Sequence, residues 1–344
     1  MSVVAFSGGG GSMKHRIGIV GGSGYIGYSL AKFLSKKFHV KILDIKQPKQ
    51  VSNNIEYMYC DIRNFEQVKN CLSDVDLVIH TAIIQIPSIN EQKKLGYEIN
   101  VIGTQNVCES VNQNSQNKGL ILAGSWHVMG ERELKGNIDE SFGYRPDKVE
   151  DRARLYAISK IIQENIVRFY DEMSEKIFGV IRMGTVLGDG MPEKTAANIF
   201  IERGLKGDSI TPFKHSMYRP MLYVDIDDVC KAFEKFSLKI LNYEVSKETT
   251  SLAHIINLYY PKPITILELA KIVQKAIIKH SNGAIKPRIE IVDSGQKSLF
   301  SKNDVKKIKV NVTKAINFLG LDRLKSPEES IDELVKKRIK AMQL

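Results

Sequence analysis

Apolar and polar positions alternate along the first half of the chain in a way that predicts a parallel sheet covered by helices. Short apolar runs predict buried strands at 16–20, 38–43, 55–59, 76–80, 119–123 and 177–182. Apolar positions repeating every three or four residues predict helices at about 25–36, 64–72, 90–113 and 150–172. Strands and helices that alternate in this order are typical of an α/β fold with helices on both faces of the sheet.

The pattern changes after Gly188, where it breaks into shorter pieces. Prolines punctuate this part of the chain at 192, 212, 220, 261 and 263. A chain of 344 residues with 43% apolar residues can bury a full core and is long for one domain. The sequence therefore predicts one large domain and one smaller one.

A glycine-rich loop joins the first predicted strand to the first predicted helix. In such a loop Gly21 allows the tight turn, Gly24 lets the backbone approach a pyrophosphate, and Gly27 lets the helix pack close to the strand. Asp44 follows about twenty residues later, where a carboxylate binds ribose hydroxyls and repels a 2′-phosphate. The loop predicts a site that prefers NAD to NADP. An ordinary glycine turn, with Asp44 as a strand-end cap, is the alternative.

A tyrosine and a lysine four residues apart, Tyr156 and Lys160, lie in the helix predicted at 150–172. This spacing places the two side chains next to each other on one helix face. A phenol normally loses its proton near pH ~10, and a neighbouring ammonium favours the phenolate. The pair could therefore accept a proton from an alcohol near neutral pH, although the same spacing arises by chance in many helices.

Cysteine use and hydropathy indicate an intracellular protein. The four cysteines are scattered without metal-ligand spacing, which is typical of reduced thiols. No apolar run approaches the length of a membrane-spanning helix, and the N-terminus lacks the regions of a signal peptide. We expect a cytoplasmic protein without a membrane partner. Residues 1–12 contain the run SGGGGS and are interpreted as a flexible linker or an added segment.

The net charge of +11 raises the question of a nucleic-acid partner. From Lys271 onward the chain has 17 Lys and Arg against 8 Asp and Glu, so most of the excess is C-terminal. The basic clusters there lack interleaved aromatic residues and any nucleic-acid-binding motif. Solvated helix faces explain this charge best, and a positive field near a diphosphate substrate is the second explanation. No nucleic-acid partner is expected.

Several motifs follow one another in an order that resembles one enzyme family. After the glycine loop and Asp44 they are Cys60-Asp61-Ile62-Arg63, Val78-Ile79-His80-Thr81-Ala82, Glu98-Ile99-Asn100-Val101-Ile102-Gly103-Thr104, Ala123-Gly124-Ser125-Trp126-His127-Val128-Met129-Gly130, Tyr156-x-x-x-Lys160, Ile181-Arg182-Met183-Gly184 and Arg219-Pro220-Met221-Leu222-Tyr223-Val224-Asp225. In this order they resemble the extended short-chain dehydrogenase/reductases, the NAD-dependent epimerase/dehydratase family that acts mainly on nucleotide sugars.

The resemblance implies a Rossmann-like, doubly wound parallel sheet with a smaller C-terminal α/β lobe. The NAD-binding domain would comprise residues 13–187 and 221–260, and the substrate-binding lobe would comprise residues 188–220 and 261–344. The site would lie in the cleft between them, at the carboxyl ends of the strands.

The resemblance also gives the motif residues their roles. Ser125 would hydrogen-bond the reacting substrate oxygen, Tyr156 would exchange a proton with it, and Lys160 would hold the nicotinamide ribose and lower the Tyr156 pKa. A small residue that caps a turn is the alternative for Ser125. The residues expected to contact NAD are Gly21, Gly24, Tyr25, Ile26, Gly27, Asp44, Asp61, Ile62, Thr81, Ala82, Asn100, Tyr156 and Lys160.

Three residues of the cofactor motifs have structural interpretations as well. Asp61 resembles a family residue that contacts the adenine amino group, but the N-cap of the helix near Asn64 is an almost equal alternative. Asn100 resembles a position that supports the site geometry, and a plain polar helix residue is its alternative. His80 ends an apolar strand and is interpreted as a structural residue rather than a catalytic one.

The substrate contacts implied by the resemblance are Ser125, Trp126, Asn198 and Arg219. Arg219 matches the arginine that binds the diphosphate of a nucleotide sugar. His127 stands where sugar-nucleotide 4,6-dehydratases carry the glutamate of a Thr-Asp-Glu triplet, so the usual loss of water is not expected. His127 is a candidate catalytic acid or base, with a polar wall residue as the alternative.

Three functions fit these residues. The first is an NAD-dependent nucleotide-sugar epimerase, which oxidises a sugar hydroxyl to a ketone and returns the hydride to the other face. The second is a net dehydrogenase or reductase of a nucleotide-linked or small carbonyl compound. The third is a non-catalytic dinucleotide sensor, which the presence of Ser125, Tyr156 and Lys160 argues against. We expect the epimerase.

The resemblance further implies a homodimer around a four-helix bundle. The helices at about 90–113 and 150–172 would pack against their copies in a second subunit. A face turned into the core of the same chain is an equal alternative. The positions expected near the seam are Ile158, Ile161, Ile162, Asn165, Ile166 and Phe169.

Overall fold

The computed structural model describes residues 14–343, so the linker predicted for residues 1–12 lies outside the described residues. The strands in this range are β1 (Arg16–Val20), β2 (His39–Asp44), β3 (Ile55–Tyr59), β4 (Leu77–His80), β5 (Gly119–Ser125), β6 (Gly136–Ile138), β7 (Ile177–Met183), β8 (Thr185–Leu187), β9 (Pro220–Met221), β10 (Tyr223–Asp225), β11 (Ile255–Leu258), β12 (Ile264–Thr265) and β13 (Ile308–Val310). The α-helices are α1 (Tyr25–Leu34), α2 (Phe65–Cys71), α3 (Ser88–Glu91), α4 (Lys93–Tyr97), α5 (Thr104–Gln113), α6 (Arg154–Met173), α7 (Ala196–Leu205), α8 (Ile226–Leu241), α9 (Ile266–His280), α10 (Thr313–Leu319) and α11 (Pro327–Met342).

Seven parallel strands form the central sheet in the order β11-β7-β5-β4-β1-β2-β3. The chain moves outward from β1 in one direction through β2 and β3, and in the other direction through β4, β5, β7 and β11. The strand order therefore reverses between β1 and β4, which is where doubly wound sheets bind their ligands. The predicted Rossmann-like, doubly wound fold is confirmed.

Helices cover both faces of the sheet. On one face α1 and α8 bring Leu30 and Phe233 into a large buried cluster, and on the other α2 and α5 bring Val68 and Val107 into a second cluster. Strands β4, β5, β7 and β11 are buried along their whole length. A sheet covered on both sides needs apolar residues on both faces, which explains why these strands are continuous apolar runs.

Three smaller strand pairs lie outside the central sheet: β8 with β10, β9 with β12, and β6 with β13. Helices α7, α9 and α11 pack against one another in the C-terminal half. The boundaries predicted for the NAD-binding domain and the substrate-binding lobe stay a prediction. Within residues 14–343 no helix combines the length and the apolar character needed to cross a bilayer.

The helix predicted at 90–113 differs most from the prediction. It consists of α3, α4 and α5 with a π-helical segment, Glu98–Gly103, inserted before α5. A π-helical turn widens a helix by one residue and is often found next to functional sites. Asn100 lies within it and is fully buried.

Candidate active site

The glycine loop packs tightly against the end of β4. Gly21 has a φ of 77°, and a Cβ there would lie 2.5 Å from the backbone nitrogen of Ala82. A Cβ on Gly27 would lie 2.3 Å from the carbonyl oxygen of Gly21. Only glycine fits these two positions. Gly24 is the N-cap of α1 and its missing Cβ would meet a single atom at 3.4 Å, so the backbone at this helix N-terminus is open to a phosphate.

Asp44 lies beside this loop. Its carboxylate accepts the backbone N–H of Ser23 at 3.1 Å and that of Lys46 at 3.0 Å. These bonds fix the carboxylate at the end of β2, next to the N-terminus of α1. Together with the glycine loop, the carboxylate fits NAD, because it can accept the ribose hydroxyls and would repel the 2′-phosphate of NADP.

The end of β4 is held from both sides. The Thr81 hydroxyl donates to the carbonyl oxygen of Val20 at 2.7 Å. His80 is fully buried, and its Nε2 lies 2.8 Å from the Thr104 hydroxyl. Burial lowers the pKa of His80 to about 3, with a further contribution from the Lys160 charge. The structural interpretation of His80 is therefore the one that its surroundings favour.

Asn100 connects the segment after β4 to α6. Its amide accepts the Ile84 N–H at 2.7 Å and donates to the Ile84 carbonyl at 3.1 Å. It also donates to the Ser159 hydroxyl at 3.1 Å, and Ser159 in turn donates to the Tyr156 carbonyl at 2.8 Å. These contacts favour a supporting role over that of a plain polar helix residue.

Two of the residues predicted to contact NAD are engaged or enclosed within the protein. Asp61 accepts from the Arg63 guanidinium at 3.0 and 2.7 Å. The N-cap of α2 is Asn64, whose side chain accepts the Gln67 N–H, so the capping alternative for Asp61 is wrong. The Tyr25 hydroxyl is buried, and burial raises its pKa. Contacts of Asp61, Tyr25, Ile26 and Ile62 with NAD stay predictions.

Ser125, His127 and Tyr156 meet at the carboxyl end of β5. The Ser125 hydroxyl oxygen lies 3.0 Å from His127 Nδ1 and accepts the His127 backbone N–H at 3.2 Å. Ser125 thus caps a turn, as its alternative interpretation proposed, while its hydroxyl also faces the site. The rings of His127 and Tyr156 meet edge to face with centroids 5.8 Å apart. The Ser125 hydroxyl is close enough to the Tyr156 phenol to lower its pKa.

The charges on Tyr156 and Lys160 differ from the sequence expectation. Burial raises the pKa of Tyr156 to about 12, although the neighbouring Ser125 hydroxyl works in the opposite direction. Burial lowers the pKa of Lys160 to about 7, opposed by the Glu164 carboxylate. The Lys160 ammonium donates to the Ala123 carbonyl at 2.8 Å. The expectation that Lys160 lowers the Tyr156 pKa is therefore wrong for the protein alone, because burial dominates both groups.

Glu164 is a residue of this site that the sequence interpretation missed. It lies one turn after Lys160 on α6 and forms a buried ion pair with Arg182, with bonds of 2.6 and 3.0 Å. The Tyr144 hydroxyl donates to the same carboxylate at 2.8 Å. The regular spacing of Tyr156, Lys160 and Glu164 along one helix face was the signal that could have revealed it.

Arg219 lies close enough to this cluster for its charge to act on His127. Its Nη1 donates to Glu150 Oε2 at 2.7 Å, across 69 residues of sequence. Burial lowers the pKa of His127 to about 4, and the charges of Arg219 and Arg152 lower it further. His127 is therefore neutral at pH 7. The sequence interpretation missed Glu150, because no local pattern connects it to Arg219.

Two other residues predicted to contact the substrate are almost fully buried. Trp126 is 1% exposed, and its indole N–H donates to the Thr185 hydroxyl at 3.2 Å. Asn198 is 3% exposed and accepts from Arg338 of α11 at 2.6 Å. The Trp126 ring also packs beside the His127 ring, with centroids 4.8 Å apart. Contacts of Trp126 and Asn198 with a substrate stay predictions.

Comparisons with known sequences agree with this geometry. The sequence model of the NAD dependent epimerase/dehydratase family matches residues 17–245. "Short-chain dehydrogenase/reductase family 42E member 1" of Homo sapiens is 29% identical over 163 residues, which are 45% of this chain and 41% of that protein. "Sterol-4-alpha-carboxylate 3-dehydrogenase, decarboxylating" of Bos taurus is 27% identical over 194 residues, 56% of this chain and 52% of that protein. The chain thus matches only about half the length of these relatives.

Solved structures agree with the fold along nearly the whole chain. The UDP-glucose 4-epimerase of Thermus thermophilus, solved with NAD, superposes with a TM-score of 0.71 at 20% identity and covers 94% of this chain and 99% of its own. At this identity the likeness concerns the fold. The family match, however, covers well over half of the chain and includes the glycine loop, Asp44 and the Tyr156 cluster. The chain therefore belongs to the NAD-dependent epimerase/dehydratase family.

Proposed function

We propose that the protein is a nucleotide-sugar epimerase, which oxidises a sugar hydroxyl to a ketone and returns the hydride to the opposite face of the same carbon. The observation that carries this proposal is the meeting of Ser125, His127 and Tyr156 at the edge of the sheet. Arg219 lies close enough to this group for its charge to act on His127. A hydroxyl pair for the reacting oxygen and an arginine for a diphosphate are what a nucleotide sugar requires.

The side chains of this cluster divide the proton chemistry between them. NAD held by the glycine loop and Asp44 would accept and return the hydride. Ser125 would hold the reacting oxygen, and Tyr156 would exchange the proton with it. With a pKa of about 12, Tyr156 is a phenol at pH 7 and is ready to donate to a ketone. Taking a proton from an alcohol requires added positive charge nearby, which Lys160 can supply by gaining a proton because its pKa is about 7.

His127 is assigned to the support of Ser125. Its Nδ1 lies 3.0 Å from the Ser125 hydroxyl oxygen, and a pKa of about 4 keeps the ring neutral. A neutral imidazole that carries its proton on Nδ1 can donate to the serine oxygen, which leaves the serine O–H free to donate to the reacting oxygen. It is not suited to act as a charged acid on the substrate at pH 7.

A net dehydrogenase is the second candidate function, and the sequence relatives favour it. The two relatives described above carry dehydrogenase in their names and are 29% and 27% identical to this chain over the matched residues. The same Ser125 and Tyr156 chemistry serves both functions. They differ in whether the hydride returns to the molecule that gave it.

The test is turnover of a panel of UDP- and dTDP-sugars with a catalytic amount of NAD, followed by chromatographic separation and proton NMR of the sugars. An epimer that forms without accumulating absorbance at 340 nm supports the epimerase. One NADH formed for each sugar oxidised, with the reaction stopping when the added NAD is used up, supports the dehydrogenase instead. Tyr156→Phe is the inactive variant, and Tyr170→Phe on the same helix is the matched control. Conversion that persists in Tyr156→Phe contradicts both candidates.

We also propose that the outward face of α6 binds a second copy of the chain. The positions predicted near the dimer seam are not among the buried residues of α6. Those buried residues are Ala157, Ser159, Lys160, Gln163, Glu164, Val167, Tyr170 and Asp171. Phe169 is 56% exposed, and a shallow depression on this face is lined by Gln105, Ile161, Ile162, Asn165, Ile166 and Phe169. An apolar stripe of this kind on a long helix is typical of a helix-packing interface.

Sedimentation at micromolar concentration tests the second copy. We expect a dimer for the native chain and a monomer for Phe169→Glu, because the new charge would be buried in the interface. Val51→Glu is the control, since Val51 is 60% exposed and lies outside this face. A native monomer at this concentration overturns the proposal.

A further inference from the structure

Four charged side chains form a network on the substrate side of the site. Glu150 Oε2 accepts from Arg219 Nη1 at 2.7 Å and from Arg152 Nε at 3.1 Å. Glu131 Oε1 accepts the Glu150 backbone N–H at 2.9 Å. The Arg219 and Glu150 side chains are 14% and 17% exposed, whereas Arg152 is 61% exposed. One carboxylate is thus shared between an inner and an outer guanidinium.

Two buried polar atoms of this network lack a partner among residues 14–343. One is Arg219 Nε, and the other is Glu131 Oε2, which belongs to a side chain that is 4% exposed. A buried donor without an acceptor is costly, and a guanidinium N–H is satisfied best by an anionic oxygen. Burial raises the pKa of the Glu131 carboxyl, which limits the negative charge next to Glu150. The inner guanidinium is therefore only partly satisfied by the protein itself.

We propose that Glu150 is an internal anion that the diphosphate of the substrate replaces on Arg219, and that Arg152 keeps hold of the Glu150 carboxylate when it leaves. This inference rests on the proposed function, since the nucleotide sugar supplies the diphosphate. An arginine binds a phosphate through two parallel N–H bonds, and Glu150 occupies one of these donors. Phosphate and carboxylate oxygens cannot share it, because like charges at contact repel.

Arg152 makes the exchange feasible. Because its guanidinium is mostly exposed and already contacts Glu150, the carboxylate can move toward solvent without losing its counter-charge. The ion pair between Glu150 and Arg219 also limits which ligands can bind, because a ligand has to bind Arg219 more strongly than Glu150 does. A single carboxylate gains nothing by replacing Glu150, whereas a diphosphate brings more charge and more acceptor oxygens. Glu150 is thus a specificity-determining residue that favours diphosphate-linked substrates over simple acids.

Titration calorimetry of the NAD-loaded enzyme with UDP and with inorganic pyrophosphate tests the exchange. Glu150→Gln removes the competing charge, so we expect about tenfold tighter binding of both ligands, within the usual range of coupling between sites. Glu150→Asp keeps the charge but shortens the reach to Arg219, and it should show a smaller gain. Glu133→Gln, which breaks a surface ion pair with Lys148 in the same loop, is the control and should leave both affinities unchanged.

Equal or weaker binding in Glu150→Gln overturns the inference, as does a failure of every variant to bind pyrophosphate and UDP. Thermal melting of each variant reports whether it is folded. If Glu150→Gln does not fold, the affinities of Glu150→Asp test the inference in its place. The proposed function is judged separately by sugar conversion. Epimer formation with unchanged Glu150→Gln affinity removes only the exchange, whereas tighter binding without any sugar conversion removes only the redox proposal.

Discussion

The half of the site proposed to bind NAD (the NAD half) and the half proposed to bind the substrate (the substrate half) are built differently. The NAD half is mostly backbone: Gly21 and Gly27 leave no room for a side chain, and backbone N–H groups hold Asp44 in place. The substrate half is made of side chains, with Glu150 and Arg219 joined across 69 residues of sequence. The first consists of close backbone contacts, whereas the second depends on charged side chains, and two of their buried atoms, Arg219 Nε and Glu131 Oε2, have no partner among residues 14–343.

This difference predicts how each half responds when its ligand binds. Closely packed backbone has little room to rearrange, because protein interiors are packed nearly without voids. The glycine loop is therefore expected to have its final shape before NAD binds. A network of partly satisfied charges can exchange one partner for another at modest cost. The NAD half is therefore expected to bind one cofactor selectively, and the substrate half to rearrange when its ligand binds.

The largest effect is expected at the border of the two halves, in Tyr156→Phe. Turnover should fall about 10³-fold, because loss of a positioned acid or base costs about 10²- to 10⁴-fold. NAD affinity, measured by fluorescence titration, should change by less than about twofold, because the glycine loop and Asp44 carry most of that binding. Tyr170→Phe should behave like the native enzyme. Full activity in Tyr156→Phe would remove the phenol from the chemistry.

Gly27→Ala is expected to disrupt NAD binding by placing a methyl group inside the glycine loop. The new methyl group would lie 2.3 Å from the Gly21 carbonyl oxygen, so the loop has to move. We expect about a 100-fold loss of NAD affinity by calorimetry, on the order of the 1–3 kcal/mol that overpacking costs. Gly143→Ala adds a methyl group with nothing within 4 Å and should bind NAD normally. Unchanged affinity in Gly27→Ala would mean that the glycine loop is not preformed.

Asp44→Ser tests the cofactor preference of the same half. The ratio of NAD to NADP affinity should fall about tenfold or more. Serine carries no charge, so it binds the two ribose hydroxyls less strongly than a carboxylate does and does not repel the 2′-phosphate. Both affinities are measured by titration calorimetry. A native enzyme that prefers NADP would contradict the role given to Asp44.

Lys160→Met is expected to give a pH-dependent gain in stability. The pKa of Lys160 falls from its ordinary value of 10.5 to about 7 on burial, so the unfolded chain binds more protons between these values. The native stability contributed by this residue therefore rises with pH from 7 to 10.5 and is lowest below pH 7. The melting temperature of Lys160→Met should exceed that of the native chain by about 2–4 °C at pH 6. The difference should shrink toward pH 10, and a constant difference would contradict the assigned pKa.

The smallest effect is expected at His127. Because its pKa is about 4, the ring stays neutral from pH 5 to 8, and the activity should show no step near pH 6.5 that belongs to it. His127→Asn should lower turnover about three- to tenfold through poorer orientation of Ser125, without changing the shape of the pH profile. A step near pH 6.5 that disappears in the variant would restore His127 as a charged acid or base.

The fold and the NAD half follow from local sequence. Strand β3 lies at its predicted position, and the glycine loop, Asp44 and Tyr156 come from short motifs whose spacing sets their geometry. The π-helical segment before α5 was not predicted, because the wider turn preserves the apolar pattern of a helix. It depends on packing: a Cβ on Gly103 would lie 2.4 Å from the Ile62 side chain.

The substrate half and the protonation states depend on tertiary contacts and were harder to predict. The partners of Asn198 and Arg219, which are Arg338 and Glu150, lie 140 and 69 residues away in sequence. The direction of the Tyr156 pKa shift depends on how deeply α6 is buried. The spacing of Tyr156 and Lys160 indicated a cation that would lower the Tyr156 pKa. It did not reveal the larger effect of burial, which raises that pKa.

A cross-titration tests most directly whether the two halves are built independently. Native enzyme, Asp44→Ser and Glu150→Gln are each titrated with NAD and with UDP by calorimetry. The account predicts that Asp44→Ser weakens NAD binding and leaves UDP binding unchanged, whereas Glu150→Gln leaves NAD binding unchanged and binds UDP about tenfold more tightly. A change in both affinities in either variant, or no binding of UDP to any of the three, would contradict it.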